Sequence, residues 1–145
     1  MTKYKIAVLP GDGIGPEIVD EALKVLKTVE EISNNIDFEF LQYECGGEYY
    51  LKTGKKEEWA PEVFDVCKNE ADAILLGAIG WTDPKTGKTV SYPSGKMVGL
   101  EILFGLRFGL DLYANIRPTK LYENVPHKIS GEFRQIWDPK NVDFV

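Results

Sequence analysis

"IAVLPGDGIGPE", residues 6–17, decides the fold. Its first four residues are apolar and β-favouring, and Pro10 with three glycines closes them off. Pro16 then sits where a helix loses nothing by lacking an N–H. Strand, tight glycine loop and helix in that order open a parallel α/β unit. Working outward, "YKIAVLP" from residue 4 extends the strand. Downstream, Ile18, Val19, Ala22, Val25, Leu26, Val29 and Ile32 recur at helical spacing until "SNN" ends the helix. "IDFEFLQYE", residues 36–44, alternates as a half-buried strand does.

The pattern then repeats. "GGEYYLKTGKK" is a short helix stopped at Gly54, and "APEVFDVCKNEA" is a second with Val63, Val66 and Cys67 on its inner face. "ADAILLGAIG" is a short continuous apolar run, the pattern of a strand covered on both faces. The class expected is α/β, three-layered, with a largely parallel sheet and flanking helices. Residues 81–97 are polar and rich in Gly, Pro, Lys and Thr, so a long exposed loop or hairpin is expected there. The lobe division is placed at 98: residues 1–98 form part of a first lobe and 99–145 begin a second. "GLEILFGLRFG" is expected as a helix, "LDLYANIRPTKLY" as a strand, "ENVPHKISGEFRQIWDP" as irregular or helical, and "NVDFV" as the opening of a buried strand. A chain that stops on such a strand reads as truncated.

Bulk properties bound the function. The chain has 145 residues, with 23 Asp and Glu against 17 Lys and Arg. An acidic balance speaks against nucleic acid or anionic lipid as a general partner. No apolar run approaches the roughly 20 residues of a membrane span, and the N-terminus lacks a signal-peptide pattern, which makes the cytoplasm the default. Cys45 and Cys67 are expected as buried free thiols. His127, the single histidine, is expected at the surface.

Two features could carry chemistry. The loop "GDGIG" can bring backbone N–H groups and a helix N-terminus towards an anion. It fails the dinucleotide fingerprint, since Gly-x-Gly-x-Gly-Pro is not Gly-x-Gly-x-x-Gly. By itself it reads as a tight structural turn or as a ligand loop for phosphate or flavin. The second feature is an arginine pair. Leu100, Leu103, Phe104 and Arg107 share a helical face at i, i+3, i+4, i+7, and Arg117 precedes Pro118 at the end of the next element. A guanidinium fork suits a carboxylate. Spacing alone equally allows both to be solvated or paired with Glu101 or Asp111. Glu17, Glu48 and the "KKEE" run at 55–58 read as a helix start and solvated faces, and Trp59, Trp81 and Trp137 as packing residues.

In combination, "IAVLPGDGIGPE", "GG" at 46–47, "AILLGAIG" at 73–80 and "LR" followed by "LYANIRP" resemble the β-decarboxylating dehydrogenases. That family acts on 3-isopropylmalate, isocitrate, homoisocitrate, tartrate or D-malate. The resemblance implies an isopropylmalate-dehydrogenase-like fold in which Arg107 and Arg117 grip substrate carboxylates and Leu100, Leu103 and Phe104 line the rest. Ile14 and Gly80 would border NAD or NADP. Mg2+ or Mn2+ would polarise the reacting oxygen. Family catalytic residues and metal ligands would lie beyond Val145, leaving no catalytic or metal residue in this stretch and making 145 residues alone inactive. The family forms homodimers. Glu101 and Leu103 stand where isocitrate enzymes carry serine and asparagine, which argues against isocitrate. Leu103 and Phe104 suit an isopropyl group; Leu100 replaces the usual isopropylmalate glutamate, and "GAIGW" resembles the tartrate and D-malate branch. The balance favours 3-isopropylmalate and leucine biosynthesis, with a non-catalytic ligand-binding relative as the rival class.

Overall fold

In a computed structural model, the described residues are 2–129, 132–134 and 136–145, with the side chains of 127–129 and 132–134 left out, so the expectation for His127 falls outside them. The elements run β1 (Thr2–Leu9), α1 (Gly15–Ser33), β2 (Ile36–Gln42), α2 (Gly47–Lys52), α3 (Val63–Asn69), β3 (Ala73–Leu76), β4 (Thr82–Asp83), β5 (Lys88–Thr89) and α4 (Leu100–Gly109). They continue with β6 (Thr119–Lys120), β7 (His127–Ile129), β8 (Glu132–Arg134), a 3-10 turn at Pro139–Asn141 and β9 (Asp143–Phe144). Two compact units divide the chain, Met1–Asp111 and Leu112–Val145.

The first unit is the α/β layer structure. Its sheet has the order β2-β1-β3, with both pairings parallel. Parallel neighbours need crossovers, and α1 and the α2–α3 segment supply them. The central strand β1 is buried on both faces because alternate residues point opposite ways. Ile6 and Val8 pack with Val19 of α1 and with Phe38, Phe40 and Leu75. Ala7 and Leu9 pack on the other side with Val63 and Cys67 of α3 and with Ile102 and Leu106 of α4. Helices therefore lie on both faces of the sheet, as the strand–helix alternation requires.

The edges differ from the sequence pattern. β3 was expected to be covered on both faces, yet it is half-buried, because it is an edge of the described sheet. β2, the other edge, shows intermediate burial along most of its length instead of clean alternation. α1 buries Val19 and half-buries Leu23 and Leu26, while Ile18, Val25 and Ile32 stay exposed.

Residues 81–98 are less open than a polar loop. β4 and β5 form an antiparallel hairpin, Ser91 bridges to Met97, and Val90 and Val98 are buried against Tyr50 with Trp81 and Tyr92 around them. The valines hold the segment down while its Lys and Thr residues face solvent.

The second unit corrects four expectations. Residues 112–118 form no strand among the described residues. A strand needs a partner, and pairing starts only after Pro118, where Thr119 opposes Phe144 and Lys120 opposes Asp143. β7 and β8 pair antiparallel, with His127 opposite Arg134 and Ile129 opposite Glu132, where an irregular or helical stretch is expected from the sequence. β9 is exposed, with Phe144 at 60%, where a buried strand was expected. Trp137 is likewise 58% exposed, whereas Trp59 and Trp81 pack in the first unit.

Candidate functional site

The glycine loop is organised by an acid that composition alone hid. Asp12 is 1% exposed, and its carboxyl accepts three backbone N–H groups. Gly47 donates to Oδ2 at 2.9 Å, Glu48 to Oδ1 at 3.0 Å, and Gly80 to Oδ2 at 3.1 Å. Two of these donors open α2, so Asp12 caps a helix 35 residues downstream. A side chain on Gly46 would collide with the Asp12 carboxyl, which is why the chain needs glycine there. A Cβ on Gly11 would run into the carbonyl of Ala78, and one on Gly15 into those of Pro10 and Ala78. Those two glycines serve close packing. Gly13 and Ile14 remain outside that packing, Ile14 being 65% exposed.

The residues expected beside a cofactor thus lie in the loops that follow the C-terminal ends of the parallel strands β1 and β3. Ile14 belongs to the turn that Asp12 anchors, and Asp12 holds Gly80, itself exposed, by its N–H. A cavity of about 270 Å3 borders the same glycine loop, and one of about 390 Å3 lies by Glu58. The first is lined by Gly11, Tyr43, Glu48 and Lys52 among others, the second by Glu58, Trp59, Tyr92 and Glu101 among others.

α4 carries the substrate candidates. Ile102 and Leu106, four residues apart, are buried and seat the helix on the core. That leaves Leu100 and Leu103 half-buried and Phe104 and Arg107 exposed along the other side. Phe104 stacks on Phe108 with centroids 5.9 Å apart. Glu101 pairs with Lys96 at 3.0 Å, and no ion pair among the described residues engages Arg107 or Arg117. Arg117 is exposed in the second unit, in the irregular stretch before Pro118.

Glu58 corrects the solvated reading of the "KKEE" run. It is 4% exposed, and its Oε2 accepts the Gly99 N–H at 2.6 Å. Burial first, then the neighbouring Glu58 carboxyl, raises the Tyr92 hydroxyl above its ordinary value. The only hint in sequence was the apolar Trp59–Ala60 that follows directly. Cys45 and Cys67 are buried and free as expected, and burial pushes the Cys45 thiol up to about 12. Among the described residues no group of three or more His, Cys, Asp or Glu side chains is arranged to hold a metal ion, and no helix is long and apolar enough to cross a membrane.

Comparison with known proteins follows the same lines. The family description "Isocitrate/isopropylmalate dehydrogenase" matches residues 5–145. The 3-isopropylmalate dehydrogenase of Aquifex aeolicus is 45% identical over 126 residues, 85% of this chain and 31% of that protein. The Bifidobacterium longum (strain DJO10A) enzyme of the same name is 38% identical over 142 residues, 98% of this chain and 35% of its own length. The chain spans about a third of the length of these curated relatives. A crystal structure of the apo form of a β-decarboxylating dehydrogenase from Thermococcus kodakarensis superposes with a TM-score of 0.53 at 33% identity, covering 81% of this chain and 29% of that one. With the parallel three-layer sheet and a family match over nearly its whole length, this chain belongs to the isocitrate/isopropylmalate dehydrogenase family.

Proposed function

We propose that these residues are the N-terminal part of a metal-dependent NAD(P) oxidoreductase that oxidatively decarboxylates a malate-type 2-hydroxy acid, 3-isopropylmalate foremost. The observation that carries the reading is the division of α4. Ile102 and Leu106 are committed to the core, while Arg107 and Phe104 lie open on the side where Leu100 and Leu103 are half-covered. An arginine with no ion pair beside an apolar strip suits a carboxylate whose neighbouring substituent is a branched alkyl group. Burying such a group contributes about 2 kcal/mol. The relatives named 3-isopropylmalate dehydrogenase support the same substrate.

In this reading Arg107 and Arg117 hold the substrate carboxylates and keep the reacting carbon in register. Ile14 and Gly80 offer an apolar side chain and an exposed backbone to the nicotinamide, with the Asp12 hydrogen bond keeping Gly80 in place. The metal supplies Lewis-acid polarisation of the substrate oxygen when bound. The described residues do not provide a ligand set for it, so no step here passes through it, and its ligands are to be sought beyond Val145. The lobes of the complete protein divide near residue 98, the complete protein is a cytoplasmic homodimer serving leucine biosynthesis, and the 145 residues alone do not turn over. The test is NAD+ or NADP+ reduction and CO2 release by the complete protein with Mg2+ or Mn2+, offered 3-isopropylmalate, isocitrate, tartrate and D-malate. Turnover fastest with 3-isopropylmalate and abolished by a chelator is expected. No turnover with any of the four acids would overturn the reading.

A further inference from the structure

The N-terminus of a helix leaves backbone N–H groups without partners. At α4 the N-cap is Gly99, with φ 97° and no side chain to help. It could not carry one, because a Cβ there would run into the Ile79 side chain. The partner comes from 41 residues away: the buried Glu58 takes the Gly99 N–H on Oε2 at 2.6 Å. The same residue also receives the Gly46 N–H on its backbone carbonyl at 2.7 Å, and Gly46 lies against the Asp12 carboxyl. One glutamate therefore ties the Asp12-anchored turn to the first residue of the helix that presents Leu100, Leu103, Phe104 and Arg107.

Its second oxygen sharpens the point. Oε1 of Glu58 is buried with no hydrogen-bond partner. The Tyr92 hydroxyl neighbours the same carboxyl, so what the geometry assigns to Glu58 is the hydrogen bond at the N-cap of α4.

We infer that Glu58 is a positioning residue for substrate: by fixing where α4 begins, it sets the placement of Arg107 and its apolar neighbours against the 2-hydroxy acid. The link from Glu58 to α4 stands on the hydrogen bond; the link to substrate rests on the proposed dehydrogenase function.

The experiment uses the complete protein with Glu58→Gln, which keeps an acceptor for Gly99, and Glu58→Met, which has similar length and no strong acceptor. Should the Met variant not fold, Glu58→Asp, too short to reach Gly99, replaces it. Amide exchange over residues 99–106 is read first. The Met variant should exchange there about tenfold faster or more, and the Gln variant like wild type. Kinetics come second. The Met variant should raise KM for the 2-hydroxy acid about tenfold while kcat and KM for the nicotinamide stay within about threefold, and Gln should restore the acid KM. Unchanged exchange in the Met variant would overturn the positioning role. Faster exchange with an unchanged acid KM would overturn its connection to substrate. If the wild-type protein turns over none of the acids, the proposed function is what fails, and exchange at Gly99 still decides whether Glu58 places α4.

Discussion

Asp12 carries three backbone donors on one buried carboxyl, which makes it the most consequential single residue of the glycine loop. Asp12→Ala leaves the N–H groups of Gly47, Glu48 and Gly80 without that acceptor. An unpaired buried donor costs about 1–3 kcal/mol; Gly47 N–H is buried and the other two are only partly so, so the chain should lose about 2 kcal/mol or more of stability. Asp12→Asn, which keeps one acceptor oxygen, should fall between, and urea midpoints read the order directly. Cys45 gives a pH dependence with a definite sign. Its thiol is raised from an ordinary 9.0 to about 12 by burial, then by nearby acids. The folded state keeps the proton at a pH where the unfolded thiol has lost it. The contribution is therefore complete below pH 9, declines above it, and is gone beyond about 12. Urea midpoints should drop across that window, and Cys45→Ala should flatten the drop. The sequence showed Cys45 as a buried free thiol but not the role of Asp12. An aspartate inside "GDG" reads as a turn residue until its donors, 35 to 68 residues away, are in view.

At the scale of elements, legibility followed periodicity. β1, α1, β2 and α3 stood out because each is long or regular enough for its apolar spacing to show, and the inner face of α3 proved to be Val63, Val66 and Cys67 as spaced. The stretch 112–118 misled because β-favouring residues do not make a strand without a neighbour to pair with. The hairpin of β7 and β8 has only three residues per strand, too short for alternation to register. Glu58 was hidden in a charged run, where the apolar Trp59–Ala60 that follows is the one local sign of its burial. α1 offers a sharp check on packing. Val19 is 2% exposed and Val25 63% exposed on the same helix. Val19→Ala removes two packed methyl groups and should cost about 2 kcal/mol. Val25→Ala should stay within about 0.5 kcal/mol. Equal losses would mean that α1 is seated on the sheet by a different face.

For the whole molecule, the fold and the proposed chemistry have different reach. The sheet, its crossovers and its two helical faces are complete enough in Met1–Asp111 to bury a core on both sides of β1. The proposed chemistry rests on two candidate carboxylate-binding arginines, Arg107 and Arg117; among the described residues no cluster is arranged to hold a metal. The sequence showed both arginines because they sit in the "LR" and "ANIRP" motifs that the family resemblance rests on. It could not show that α4 exposes Arg107 by turning Ile102 and Leu106 inward. The central claim is that Arg107 and Arg117 hold the substrate's carboxylates. It is tested most directly by kcat/KM of the complete protein for 3-isopropylmalate, compared between wild type, Arg107→Ala and Arg117→Ala. A charged hydrogen bond contributes about 1.5–3 kcal/mol, so each substitution should lower kcat/KM by a factor of about 10–150. A kcat/KM unchanged in both variants would contradict the account.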